Sequence, residues 1–192
     1  MNESREFMNQ SLQKPLKIHI MGAAGSGKTT LAAKIAERLN APWFELDTVA
    51  YEGGYARKRT IEERLTSLNE IIHQPIWVTE GAFIWWIDDL LKAADAVVWL
   101  DLPWYISMPR IVTRHIKLSM AGENKHPGIG NLVRFAWSCR LYYLEPEPRQ
   151  PKTLEDDTAL NRAGVVKYLN PYLDKVIHCQ KPKDVDRFLA QL

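Results

Sequence analysis

Cysteine is nearly missing from this chain of 192 residues: only Cys139 and Cys179 occur, far apart and without metal-ligand spacing. That excludes a disulfide-stapled secreted scaffold and a thiolate zinc centre, and it leads us to expect a reduced, cytoplasmic protein. No apolar run approaches the roughly 20 residues that span a bilayer, so no membrane partner is expected. Residues 1–14 are polar with one Phe and two Met, and read as a flexible tail rather than a secretory signal. Excess charge of either sign is also lacking, with 25 Lys and Arg against 23 Asp and Glu. That balance argues against a dedicated nucleic-acid binder, while leaving room for a local basic patch. Internal repeats and low-complexity tracts are absent. What remains, residues 15–192, suits one domain with a full core, as a monomer or a homodimer.

Against this background one segment is specific. Gly22-Ala23-Ala24-Gly25-Ser26-Gly27-Lys28-Thr29 matches G-x-x-x-x-G-K-[ST]. Before it, Leu16 to Met21 alternates like a buried strand; after it, Leu31, Ile35, Ala36 and Leu39 recur at helical spacing. A strand, a glycine-rich turn and a helix start make a phosphate cradle. The glycines let successive N–H groups point inward, and the helix adds its unsatisfied N–H groups and positive dipole end. The expected nucleotide-binding residues are Gly22, Gly25, Ser26, Gly27, Lys28, Thr29 and Thr30, with Lys28 reaching the outer phosphates and Thr29 helping to hold magnesium. ATP and Mg2+ are the expected cofactors.

Strand and helix signals alternate along the rest of the chain. Residues 42–47 read as a strand ending in Asp47, 61–72 as a helix through Ile61, Leu65, Leu68, Ile71 and Ile72, and 76–79 as a strand followed by Glu80-Gly81. Residues 85–94 read as a helix, 96–101 as an apolar strand, 103–118 as a helix that Pro109 should bend or restart, and 132–144 as another helix. A Pro- and charge-rich connector (145–155), a helix over about 157–169, a strand at 175–179 and a closing helix follow. The expected fold is α/β: a three-layer sandwich around a mostly parallel five-stranded sheet. Residues 48–74 are expected to form a small helical insertion that receives the acceptor, and about 119–131 a short lid.

Asp47 and Glu80 both follow strands, where open α/β sheets meet their ligands. Asp47 suits magnesium-bound water, proton acceptance from a hydroxyl, or capping of the next helix; Glu80 suits magnesium through water. Asp101 reads as structural. Arg110 and Arg114 share a helix face, and Lys117, Lys125, Arg134 and Arg140 continue the basic trend between Tyr105 and Leu144, against the single acid Glu123. Such an excess beside a Gly/Pro-rich loop fits a cationic lid over phosphates or a solvated face. Arg57-Lys58-Arg59 allows the same two readings. Trp43, Trp77 and Trp99 belong to the core, whereas Trp85, Trp86, Tyr51 and Tyr55, the last two flanking Gly53-Gly54, are candidates to stack on a base. His115 and His126 have no expected catalytic role.

With these residues in view, residues 16–47 and 76–118 resemble the adenylate-kinase-related P-loop proteins, a nucleoside monophosphate kinase-like branch. Leu100-Asp101-Leu102-Pro103 followed by Arg110-Ile111-Val112-Thr113-Arg114 looks like the segment leading into the adenylate kinase lid. The resemblance implies that Arg110 packs near the base and Arg114 contacts phosphates. Phe44-Glu45-Leu46-Asp47, Trp77 to Phe83 and Arg114-His115-Ile116 are similar to a bacterial group labelled topology modulation proteins. The chain departs from adenylate kinases in having Glu80-Gly81-Ala82-Phe83-Ile84 where they carry Asp-Gly-Phe-Pro-Arg, and it has no four-cysteine lid. Beyond the lid, Arg134, Arg140, Arg149 and Arg162 compete for one role. The implied activity is ATP-dependent phosphoryl transfer to a small acceptor, a nucleoside monophosphate first, with Lys28, Arg110, Arg114 and Asp47 catalytic and Thr29 and Glu80 at the metal. A hydroxyl kinase of the shikimate or gluconate kind and a nucleotide-gated, nucleic-acid-associated regulator are the alternatives.

Overall fold

A computed structural model describes residues 15–53 and 56–192; the expected tail 1–14, Gly54 and Tyr55, the last a candidate to stack on a base, lie outside the described residues. In chain order the elements are β1 (Lys17–Gly22), α1 (Lys28–Leu39), β2 (Trp43–Glu45), α2 (Leu46–Ala50), β3 (Tyr51–Glu52), β4 (Arg57–Lys58), α3 (Ile61–Ile72), β5 (Trp77–Glu80), α4 (Asp88–Ala93) and β6 (Ala96–Leu100). Two long helices follow, α5 (Trp104–Met120) and α6 (Ile129–Leu144), then α7 (Arg162–Leu169), β7 (Val176–Cys179) and α8 (Pro182–Gln191).

Five strands form one wholly parallel sheet in the order β2-β5-β1-β6-β7. β1 sits in the middle because both faces of its sequence are apolar. Ile18 and Ile20 pack with Leu31, Ile35, Val98, Leu100 and Phe188 beneath α1 and α8, while Met21 joins Leu46, Leu68, Trp77, Trp86, Leu90 and Trp99 on the opposite face. A sheet covered on both sides needs largely apolar strands; β6 is wholly apolar, and β1 and β5 are largely so, with His19, Thr79 and Glu80 buried in them. From β1 the chain moves outward to β2, returns to β5, then crosses to β6 and β7. The crevice at the carboxyl ends of β1, β5 and β6 is therefore where ligands of such sheets bind.

Several expected boundaries move. β2 stops at Glu45, and Asp47 lies in the first turn of α2 rather than at a strand end. α4 starts only at Asp88, because Trp85 adopts a positive φ of 79° and ends any helical path through 85–87. α5 runs unbroken through Pro109, although that residue lacks the N–H that would bond one turn back. The expected lid reduces to residues 121–128 between two long helices, so this feature is a helical hairpin. The helix expected over 157–169 is a 3-10 turn at Asp157–Ala159 followed by α7. α3 begins as its sequence demands: Thr60 accepts from the Glu63 N–H and Glu63 accepts from the Thr60 N–H. Its inward face, however, carries Arg64 and turns Leu65 out.

Candidate functional site

The phosphate loop is shaped by its neighbours. Gly25 has φ +74°, and a Cβ there would fall 2.8 Å from both Ile111 Cγ1 and the Ser107 carbonyl oxygen of α5. Only glycine accepts that backbone and that proximity. Gly22 is held as closely, since a Cβ would lie 2.5 Å from the Leu100 carbonyl oxygen. α1 then begins at Lys28 with Gly27 as its cap, no side-chain cap bond and no acid in its first turn. Its open N–H groups and dipole face the crevice. Arg110 closes the loop from above, donating to the Ser26 carbonyl at 2.9 Å.

Around this loop the expected charges converge. Lys28 Nζ donates to the Ala23 carbonyl at 3.3 Å, arching over the loop. Burial pushes its ammonium below the ordinary lysine range; Glu80 and Asp47 pull it back up, and Arg114 adds to the depression. These influences place Lys28, Glu80, Asp47 and Arg114 in one electrostatic neighbourhood. Thr29 Oγ1 donates to Glu80 Oε1 at 2.7 Å. Burial holds the Glu80 carboxyl above the usual carboxylate range, opposed by Thr29 and Lys28. A buried carboxylate beside a hydroxyl offers hard oxygens of the kind magnesium accepts, completed by phosphate oxygens and water. Among the described residues no group of three or more His, Cys, Asp or Glu forms a metal cage. The hydroxyl of Thr29 and the carboxylate of Glu80 are of the chemistry that magnesium accepts. Beneath the loop His19 is wholly buried, its Nδ1 2.9 Å from Thr79 Oγ1, and burial followed by Lys28 lowers its pKa to about 3.

A second cavity of about 360 Å³ adjoins the loop on the α8 side, lined by Gly27, Thr30, Arg110, Leu102, Val185 and Asp186 among others. Thr30 and Arg110, both expected at the nucleotide, line this slot together with Lys34 and Leu100. The contribution of α8 was not foreseen, because nothing in a short C-terminal amphipathic helix marks which flank meets a ligand.

The insertion is built differently. Asp157, from the 3-10 turn, accepts from both guanidinium nitrogens of Arg64 at 3.1 and 3.3 Å and from the Tyr51 hydroxyl at 2.8 Å, and pairs with Lys58 at 3.0 Å. Arg64 is fully buried, with its guanidinium 5.3 Å over the Trp86 ring and 5.9 Å over Tyr51. Burial and Asp157 together push the Tyr51 hydroxyl up to about 12. Arg57 pairs with Glu52 and Glu63, and Arg59 donates to the Thr48 and Val49 carbonyls. Trp86 is core, and Trp85 packs edge-on against Tyr168 with ring centres 5.9 Å apart. Trp43 is half-buried, whereas Trp77 and Trp99 are core as expected. Arg64 and Asp157 went unnoticed in the sequence. The signal for Arg64 was available: it stands four residues before Leu68 and seven before Ile71, on their face.

Asp101 proves structural. It accepts from Arg162 at 2.8 and 2.7 Å and lies 2.9 Å from His178 Nε2, while His178 stacks on Trp99 at 4.3 Å. Of the four competing arginines, Arg162 is therefore bound to Asp101, Arg149 to Glu145 and the Thr158 carbonyl, and Arg140 rests 5.6 Å over Trp137. Arg134 lines a cleft between α5 and α6 together with Arg114, His115 and His126.

Motif, sheet order and loop geometry make this a P-loop α/β protein. No family model matches the chain. A curated relative, the uncharacterized protein YqaC of Bacillus subtilis (strain 168), is 33% identical over 107 residues, covering 55% of this chain and 59% of that protein. The match thus takes in less than two thirds of the relative's length. Among solved structures, the chain is similar to a shikimate kinase from Bacteroides thetaiotaomicron (14% identity, 93% and 96% of the two chains, TM-score 0.45). It is likewise similar to a gluconokinase from Sinorhizobium meliloti 1021 (18%, 92% and 91%, 0.46) and to a shikimate kinase from Acinetobacter baumannii in complex with shikimate (17%, 97% and 93%, 0.46). Likeness at this level says nothing about substrate. No helix among the described residues is long and apolar enough to cross a membrane.

Proposed function

We propose that the protein is an ATP-dependent phosphotransferase acting on a small acceptor. The observation that carries this reading is the convergence of Lys28, the Thr29–Glu80 pair and Arg110 on one phosphate loop, with Asp47 and Arg114 within electrostatic reach of Lys28. Phosphoryl transfer asks the protein mainly for positioning and for positive charge around the transferred group. Loop N–H groups and Lys28 bind the phosphates, and Arg110 fixes the loop beside the slot on the α8 side. Magnesium, when bound at Thr29 and Glu80, neutralises charge on the outer phosphates. In the transfer an acceptor oxygen forms a bond to the γ-phosphorus as the bond to the bridging oxygen breaks, its electron pair leaving with ADP. Arg114 adds positive charge to the surroundings of Lys28.

Two acceptor classes fit, a nucleoside monophosphate of the adenylate-kinase-related kind and a hydroxyl-bearing small molecule. The second is favoured by Asp47, whose carboxylate stands in the Lys28–Glu80 neighbourhood and can take the hydroxyl proton. The missing arginine after Glu80-Gly81 removes one phosphate grip from the first. A screen of nucleoside monophosphates, nucleosides and small hydroxy acids with ATP and magnesium tests the reading. Turnover of one class, lost in Lys28→Ala, is the expected result; turnover that survives Lys28→Ala would sink it.

A further inference from the structure

The cations of the two halves of the molecule are used differently. Every basic residue of the insertion described above already has a partner inside the protein: Arg57 has Glu52 and Glu63, Lys58 and Arg64 have Asp157, and Arg59 has backbone carbonyls. In the α5–α6 hairpin, Arg114 and Arg134 form no ion pair among the described residues. Both line a cleft of about 500 Å³ between the helices. Its walls are apolar, formed by Ile111, Leu118, Leu132 and Phe135, and no Asp or Glu lines it. Asn124 ties the tip loop down by donating to Ser119 Oγ at 2.7 Å and accepting from the His126 N–H at 3.0 Å.

The cleft meets the packing of the phosphate loop at one wall residue. Ile111, at its inner end, is the residue whose side chain presses on Gly25. Arg110, one residue earlier on α5, binds the loop carbonyl, so the helix carrying the cleft is anchored to the nucleotide site at its base. An occupant would lie between apolar helix faces, on the helix whose base is anchored to the loop. Pockets of this kind, apolar with a few convergent polar groups, suit small organic ligands, and uncompensated arginines select for negative charge.

We propose that this interhelical cleft binds the phosphoryl acceptor, a small anionic molecule with an apolar or aromatic body whose carboxylate or phosphate is held by Arg114 and Arg134. The acceptor role rests on the phosphotransferase reading; the binding of an anionic, apolar-bodied ligand does not. The hairpin then supplies the acceptor's pocket, and the insertion braces the fold through its own ion pairs.

The test uses the full chain and the dye 8-anilinonaphthalene-1-sulfonate, an aromatic anion that fluoresces when bound in apolar surroundings. One dye per chain is expected, with affinity reduced at least tenfold by Phe135→Asp and severalfold by Arg134→Ala. Phe135 and Arg134 are both exposed on α6, so these variants should fold, and unchanged binding of a fluorescent ATP analogue would verify that they do. Any acceptor found by the screen should displace the dye, and Arg134→Ala should raise its KM about tenfold while leaving the KM for ATP alone. Dye affinity unchanged in both variants would overturn the proposal. So would an unaltered acceptor KM, or a dimer in sedimentation velocity that Phe135→Asp dissociates, because the cleft would then be a subunit interface. Dye binding needs no turnover: failure of every acceptor in the wild type condemns the phosphotransferase reading by itself, whereas loss of the dye site condemns the cleft.

Discussion

The insertion and the hairpin are both rich in arginine and lysine, yet they do opposite things with them. Around α3 a fully buried guanidinium faces a carboxylate that three groups share, and its neighbours are paired in turn. Along α5 and α6 two arginines project into an apolar cleft without a carboxylate in its lining. Charge satisfied inside the protein contributes order and specificity of packing; charge left uncompensated beside a cavity is available to a ligand. Basic sequence alone does not separate the two cases.

The largest effect that could break this contrast concerns Asp157. Asp157→Ala strands Arg64 in the core, and we expect a loss of about 3–5 kcal/mol in urea unfolding, as for other broken buried pairs. A loss below about 1 kcal/mol, the range of surface pairs, would mean the insertion is as loosely tied as the hairpin. Arg114→Ala should do the reverse. Turnover should fall on the order of 10²–10³, as when a preorganised charge donor is removed, with the thermal midpoint unmoved. A fall in the midpoint instead would class Arg114 with the structural arginines.

A smaller effect comes from the sheet beneath the loop, which behaves like the insertion in keeping its polar group for itself. Neutral His19 is enforced by burial, with its pKa lowered from 6.5 to about 3. Between those values the unfolded chain binds a proton that the native state does not. Stability should therefore be full above pH 6.5 and decline as the pH falls toward 3, by up to about 1.4 kcal/mol per pH unit. Urea midpoints of His19→Gln against pH should lack that part of the slope. The smallest expectation belongs to the outer hairpin. Trp137 is 56% exposed, and Trp137→Ala should change stability by no more than about 0.5 kcal/mol by chemical denaturation. A larger loss would show that the outer face of α6 is packed against something.

Much of the donor side was legible in the linear sequence. Residues 22–29 carry their own geometry, because glycine positions and a following helix fix a phosphate cradle within a few residues. Glu80 and Arg110 were readable from strand ends and helix spacing, and the structure joins them to Thr29 and Ser26. Asp47 was legible as a residue near the crevice but misplaced by one element, since the strand ends two residues earlier. Trp86, a candidate platform for a base, is core, and Arg64 went unnoticed, for a common reason. A tryptophan after a turn resembles a ligand platform, and an arginine in a helix resembles a solvated one, until the cation and the ring are found stacked inside the core.

By itself the sequence determined a glycine-rich loop between a strand and a helix and the parallel sheet behind it, because both follow from local periodicity and backbone freedom. Only the tertiary structure decided which cations remain free. Arg64 and Lys58 meet Asp157 across about 90 and about 100 residues of chain, and Arg162 and His178 meet Asp101 across about 60 and about 80. Whether a charge is neutralised depends on what folding brings within hydrogen-bonding distance, and sequence separation carries no information about that.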